Sequence, residues 1–279
     1  YTFDSFIVGP NNSLAHAAAY AVCQNLGKVY NPLFIYGGTG LGKTHLLHAI
    51  GNEVKKKKPK AVVRYQTTDK FTTEFINSIR RDQMHSFREK YQKIDLLMLD
   101  DIQFLSNKEQ TQETFFHIFN NLYEQGNQII LSSDTFPKEI KGFQNRLKSR
   151  LEWGLVADIQ MPDLETKIAI LNKKAESNKI KQNDDVANFI ASKIKSNIRE
   201  LEGALIRIEA FSTLTNQPIT LALAQKVLLN LGEPKKGGIM LNDILKAVAR
   251  NYSVSIHDLK SKKRQKDISF VRQVAFYVM

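Results

Sequence analysis

Residues 33–44 read Leu33-Phe34-Ile35-Tyr36-Gly37-Gly38-Thr39-Gly40-Leu41-Gly42-Lys43-Thr44. Four residues of strand type run into a G-x-x-x-x-G-K-[ST] segment, and a helical pattern from His45 to Val54 follows. Strand, glycine loop and helix in that order are the context a phosphate-binding loop requires. The glycines let backbone amides close around an anion, and the helix start adds partial positive charge. Lys43 is placed for the β and γ phosphates and the Thr44 hydroxyl for Mg²⁺. The stretch predicts a nucleoside di- or triphosphate site holding Mg²⁺, with Gly38, Gly40, Leu41, Gly42, Lys43, Thr44 and His45 around the phosphates.

Working outward, short apolar or β-branched runs alternate with helical stretches through the first 160 residues: 33–36, 61–65, 95–99, 128–132 and 155–159. Such alternation predicts an α/β domain with a parallel sheet over 1–163, and ligands on such sheets bind beyond the carboxyl ends of the strands. After Met161-Pro162-Asp163 the strand pattern stops. Apolar residues at helical spacing then mark three helices, on Leu164, Ile168 and Leu171, on Val186, Phe189 and Ile190, and on Ile198, Leu201 and Leu205. They predict a small all-α unit over 164–232. Gly232-Glu-Pro-Lys-Lys-Gly-Gly238 reads as a linker, and a third helical unit is expected within 233–279, with one helix on Leu241, Ile244, Leu245 and Val248 and another beginning at Phe270.

The chain has 279 residues, 42% hydrophobic and 24% charged, which is globular usage and excludes disordered, collagenous and disulfide-scaffold classes. No apolar run approaches the ~18 residues of a membrane span, which predicts a soluble chain with no integral membrane segment. Forty Lys+Arg against 28 Asp+Glu leave +12, a balance suited to polyanionic partners such as nucleic acid and open to contact with acidic lipid. Half of that excess lies in residues 233–279. Cys23 is the single cysteine, which excludes an internal disulfide and fits a reducing, cytoplasmic setting. The chain opens without an initiator Met and stops inside a helical pattern, so both ends read as cut.

Leu96-Leu97-Met98-Leu99-Asp100-Asp101 delivers two carboxylates at the end of an apolar strand. Asp100 is placed to hold Mg²⁺ and Asp101 to polarise an attacking water. Asp is one methylene shorter than the Glu found in many such sites, so slow hydrolysis is expected. Arg199 begins a helix behind Ser196-Asn197, where the macrodipole disfavours a cation. Either a local pair with Glu202 or an anionic ligand compensates.

Five blocks, Tyr1–Phe6, Asn31–His48, Asp100–Phe104, Arg146–Arg150 and Arg199–Ala204, resemble in order the signature segments of the bacterial chromosomal replication initiator family, in the AAA+ ATPase class. The resemblance spans essentially the whole chain. It implies a parallel-sheet AAA+ domain, a helical lid and the start of a helical DNA-binding domain. By the same resemblance Val8, Gly9 and Asn12 lie at the adenine, Asp134 senses the γ-phosphate region, and Arg199 reaches the phosphates from the lid. Arg150, with Arg146 beside it, would act as an arginine finger on the nucleotide of a neighbouring copy. The long crossover 66–94 resembles the initiator-specific bent helix pair, with Ile76 and Lys108 facing single-stranded DNA. Gln110 stands where a basic residue often does. Lys262, Lys263 and Arg264 would contact duplex DNA. The family reads its duplex boxes with residues past the position of Met279, so specific duplex binding by this stretch alone is expected to be weak.

The resemblance thus implies an ATP-dependent initiator that forms a homo-oligomer in the ATP state, engages and opens origin DNA, duplex and single-stranded, meets the replicative helicase machinery, and resets by hydrolysis. A helicase loader or related AAA+ regulator, and a metabolic P-loop kinase, remain alternatives from the residues alone. A passive nucleic-acid-binding module is disfavoured by the phosphate loop and the acid pair.

Overall fold

The computed structural model describes residues 1–180, 183–229, 248–261 and 266–278. They divide into two compact units, Tyr1–Ala224 and Gln225–Met279.

The first unit is built on a five-stranded parallel sheet: β1 Leu33–Tyr36, β2 Val63–Thr67, β3 Leu96–Asp100, β4 Gln128–Ser133 and β5 Leu155–Asp158, in the order β2-β3-β4-β1-β5. The strands fall where the apolar runs predict, except that β2 lies two residues beyond the expected 61–65. Its register explains the shift: Val63 faces Leu96 and Thr67 faces Asp100, so β2 extends as far as its partner strand does. Of the three inner strands, β3 and β4 are buried throughout and β1 up to Tyr36, as strands covered on both faces must be.

Alternate residues of the strands feed two cores. Phe34, Leu97, Leu99, Ile129 and Leu131 point to one face and pack under α3 (Thr68–Arg80), α4 (Met84–Gln92), α5 (Glu109–Glu124) and α6 (Asn145–Leu151). Leu33, Ile35, Leu96, Met98 and Ile130 point to the other, under α1 (Ser13–Gln24) and α2 (Lys43–Lys57). That period-two division makes the sheet the middle of three layers. Each buried Leu, Ile or Phe contributes about 1.5–3 kcal/mol of transfer free energy.

The 29-residue crossover is two helices, α3 and α4, broken at Arg81-Asp82-Gln83, where Asp82 adopts φ 54°. Helices α7 (Leu164–Ser177), α8 (Asp184–Lys193) and α9 (Ile198–Thr215) follow the sheet, as the spacing predicts. Asp163 caps α7 by accepting the Thr166 N–H at 2.8 Å, and Asn197 caps α9 by accepting the Glu200 N–H at 2.9 Å, each satisfying an otherwise orphaned donor. Helix α10 (Leu221–Leu229) is additional to the three expected. In the second unit, helices Ile256–Lys260 and Lys266–Val278 surround Val248, Ala249, Leu259 and Val271. The linker 232–238, Leu241, Ile244, Leu245, and the basic residues Lys262, Lys263 and Arg264 lie outside the described residues. Among the described residues no helix is long and apolar enough to cross a membrane.

Candidate nucleotide-binding site

The parallel sheet brings the ends of β1, β3 and β4 to one edge, and the predicted site residues collect there. Gly40 has φ +77° and Gly42, the residue before α2, has φ +105°. Both lie in the left-handed region that a side chain resists, which lets α2 begin at Lys43, two residues ahead of the expected His45. Lys43 is only 5% exposed. Its ammonium donates to the carbonyls of Gly37 at 2.7 Å and Gly38 at 3.0 Å and pairs with Asp134 at 2.6 Å.

Asp100 is buried at the end of β3. Its carboxylate accepts hydrogen bonds from Thr44 at 2.7 Å, from Tyr65 at 2.9 Å and from Ser132. The predicted Mg²⁺ partners Thr44 and Asp100 are therefore in contact across 56 positions of chain. Burial, and then the charge of Asp100, push the Tyr65 phenol well above its ordinary range, so Tyr65 remains a donor. Asp101 turns the chain left-handed at φ 59°, a conformation Asp tolerates better than most residues. Burial first, and the charge of Asp100 second, raise the Asp101 carboxyl.

Two residues that sequence reasoning did not assign tie these groups together. The Gln103 amide donates to Asp101 at 3.2 Å and to Asp134 at 3.1 Å, while its oxygen accepts the Asp134 N–H at 3.3 Å. Ser132, besides bonding Asp100, accepts the Asp101 N–H at 2.8 Å. An amide or hydroxyl side chain has no spacing signal of its own. Only the quoted block Asp100–Phe104 pointed to the neighbourhood of Gln103. Asp134 also accepts from Thr39 at 3.4 Å, and it does not cap the next helical turn, whose capping position is Phe136.

A cavity of about 580 Å³ opens over this edge, walled by the phosphate loop, by Ile7 and Asn12, by Asp101 and Asp134, and by Lys173, Ile198 and Arg199 of the helical part. Of the three residues expected at the adenine, Asn12 lines the cavity, accepting the Gly9 N–H at 2.9 Å. Val8 is 47% exposed, and Gly9 lies against Thr166 of α7, whose hydroxyl a Cβ would approach to 2.3 Å. Ile7 is part of the cavity wall. His45 also lines the cavity, but its Nε2 lies 3.2 Å from Ser5 Oγ and 3.0 Å from Thr2 O, so it anchors the N-terminal segment. Burial lowers its pKa.

Arg199 lies in the cavity wall, close enough to the loop that a Cβ on Gly40 would come within 3.3 Å of its Cγ. Glu202, the local partner considered for it, bonds Lys174 at 3.1 Å. Arg150 and Arg146 are not in that wall. On α6, Arg150 donates from Nε to Asn120 at 3.1 Å and lies over Trp153, while Arg146 lies over Phe116 and 3.6 Å from Glu113. Ile76 is 39% exposed on α3, and Lys108, just before α5, sits 3.7 Å from Asp69 of α3.

Sheet order, phosphate loop on β1, paired acids ending β3 and a helical unit over the cavity define an α/β protein of the AAA+ ATPase class. Residues 1–158 match the bacterial DnaA ATPase domain and residues 241–279 the bacterial DnaA helix-turn-helix. The chain belongs to the bacterial DnaA family. It is 53% identical over 278 residues to the chromosomal replication initiator protein DnaA of Caldanaerobacter subterraneus subsp. tengcongensis, covering 100% of this chain and 63% of that protein. The chain thus spans less than two thirds of that relative's length. A crystal structure of domain III of DnaA from Thermotoga maritima superposes with a TM-score of 0.81 at 42% identity, covering 84% of this chain and 98% of that one. A solved replication initiator DnaA bound to AMPPCP and single-stranded DNA superposes with a TM-score of 0.72 at 38% identity, covering 100% of this chain and 81% of that one.

Proposed function

We propose that this chain is the ATP-switched core of a replication initiator: it binds Mg²⁺-ATP, assembles with further copies of itself through an arginine finger, and engages origin DNA in the cytoplasm. Similarity to a DnaA bound to AMPPCP and single-stranded DNA supports the nucleotide and the DNA. The residues fit the cofactor. The glycine turn at Gly40 and Gly42 leaves room for phosphate against backbone amides, and Thr44 with buried Asp100 supplies the hard oxygen donors Mg²⁺ takes. Bound there, Mg²⁺ would neutralise phosphate charge. Lys43 would hold the phosphate oxygens, Asp101 would orient water, and Gln103, bonded to both, would keep Asp101 and Asp134 in register. Slow hydrolysis acts as the reset.

One observation carries the reading: of two candidate phosphate-reading arginines, Arg199 lines the cavity and Arg150 does not. A guanidinium on another face can serve the nucleotide of the adjoining copy, and the pair of readings makes assembly depend on the triphosphate. Residues 1–163, 164–232 and 233–279 would then act as nucleotide domain, lid and start of the DNA-binding domain. Ile76 and Lys108 would meet single-stranded DNA, with Lys262, Lys263 and Arg264 on the duplex and the replicative helicase machinery as a later partner. The test is light scattering with ADP and with a non-hydrolysable triphosphate. Arg150→Ala is expected to keep the monomer's ATP affinity and to lose the triphosphate-dependent oligomer. An oligomer that survives the substitution excludes the finger role.

A further inference from the structure

Trp153 is the only tryptophan in the chain, and it is 53% exposed in the turn that follows α6. Tryptophan and arginine are both enriched at interfaces between chains. Its ring is not loose. It stacks on Tyr123 of α5 at 4.7 Å with an interplanar angle of 17°, and Tyr123 in turn stacks on Phe119 at 6.3 Å and 6°. Phe119 is fully buried in the sheet core. A column of three rings therefore runs from the core of the α/β unit to its surface and ends in Trp153.

The Arg150 guanidinium carbon lies 4.2 Å from the centre of the Trp153 ring, inside the range of a cation–π contact. Its Nε is held by Asn120 at 3.1 Å. Indole and amide constrain different things. The ring sets the plane in which the planar fork rests, and the hydrogen bond sets its rotation within that plane. The Nε edge being taken, the terminal nitrogens form the edge left for a bidentate anion. Nothing about a tryptophan three residues past an arginine, at the end of a seven-residue helix, announces this in sequence.

Building on the reading of Arg150 given above, we infer that Trp153 is its positioning residue and the apolar centre of the face that meets a second copy of this chain. Charge supports that partner: Arg146, Lys148 and Arg150 make α6 cationic, and the anion they can meet on another copy is the triphosphate that the reading above assigns to its cavity, whose lining includes the 50% exposed Phe104. Holding Arg150 against the indole before contact also removes part of the side-chain entropy cost of docking it.

Two measurements test this. In the unaltered chain, tryptophan emission reports Trp153 alone. A non-hydrolysable ATP analogue is expected to shift it to the blue and to shield it from acrylamide, whereas ADP does neither. Unchanged emission upon assembly overturns the inference. In the second, Trp153→Leu and Trp153→Phe are compared by light scattering, with melting temperature and monomer ATP affinity measured alongside. Trp153→Leu is expected to raise the concentration for half-assembly about fivefold, the size of an exposed cation–π contact, and Trp153→Phe to recover most of it. Assembly of Trp153→Leu at the unaltered concentration overturns the inference. So does an equal defect in both variants, since the Phe ring is meant to replace the indole face. Arg150→Ala run in parallel separates the two ideas: if it assembles normally the finger reading falls, and if it fails while both Trp153 variants assemble, only the role of Trp153 falls.

Discussion

The Cys23 thiol lies between α1 and α2, directed at the carbonyls of Ala19 and Ile50. Burial, the largest influence, pushes its pKa up to about 12. A group that stays neutral in the fold but ionises near 8.5 when unfolded makes stability pH-dependent in a definite direction. The contribution is complete below about 8.5 and is lost as pH rises from there towards 12. Native protein at pH 8 is therefore expected to resist iodoacetamide and to react only as it unfolds. Rapid alkylation of the folded chain would show that the α1–α2 contact opens. At this scale Lys43, Thr44 and Asp100 were readable because their chemistry depends on short, ordered spacing. Gln103, Tyr65 and Ser132 were not, because a neutral donor acquires its role only from the carboxylate it faces.

Helices α3 and α4 form the element that sets this fold apart from a plain one-helix crossover, and Glu74 braces it. Its carboxylate accepts from Arg64 of β2 at 2.8 Å, from Lys90 of α4, and from the Tyr91 hydroxyl at 3.2 Å. Although burial opposes ionisation, those hydrogen bonds and charges hold the Glu74 pKa below its usual value. Replacement by Ala leaves Arg64 and Tyr91 without that acceptor, and Glu74→Ala is expected to cost about 1–2 kcal/mol. Urea unfolding measures it, and faster proteolysis at Arg81-Asp82-Gln83 should accompany the loss. An unchanged midpoint would assign the angle between the helices to the packing of Phe71, Phe75, Phe87 and Tyr91 alone. The 29-residue length showed only that the crossover is long for one helix, and the family resemblance supplied the expectation of a bent helix pair. The brace was hidden, since its members lie 10 to 17 positions apart on three elements.

Over the whole molecule the +12 charge predicts that contact with single-stranded DNA weakens as salt rises. If Lys108 touches a phosphate, Lys108→Ala should lower the slope of log affinity against log salt by about 0.7. Fluorescence anisotropy with an unstructured oligonucleotide measures this, and an unaltered slope would remove Lys108 from the contact. The sequence by itself determined the parallel α/β class, the phosphate loop, the acid pair and the helical unit that follows, because hydrophobic period and glycine spacing are local properties. Tertiary structure alone decided the strand order β2-β3-β4-β1-β5, the pairing of Lys43 with Asp134 across 91 positions, and the seating of Arg199 against Gly40. It also separated Arg150 from the cavity and set it on Trp153. Those arrangements arise from burial and charge pairing between segments far apart in the chain, and a local pattern carries no record of which distant segment will supply the partner.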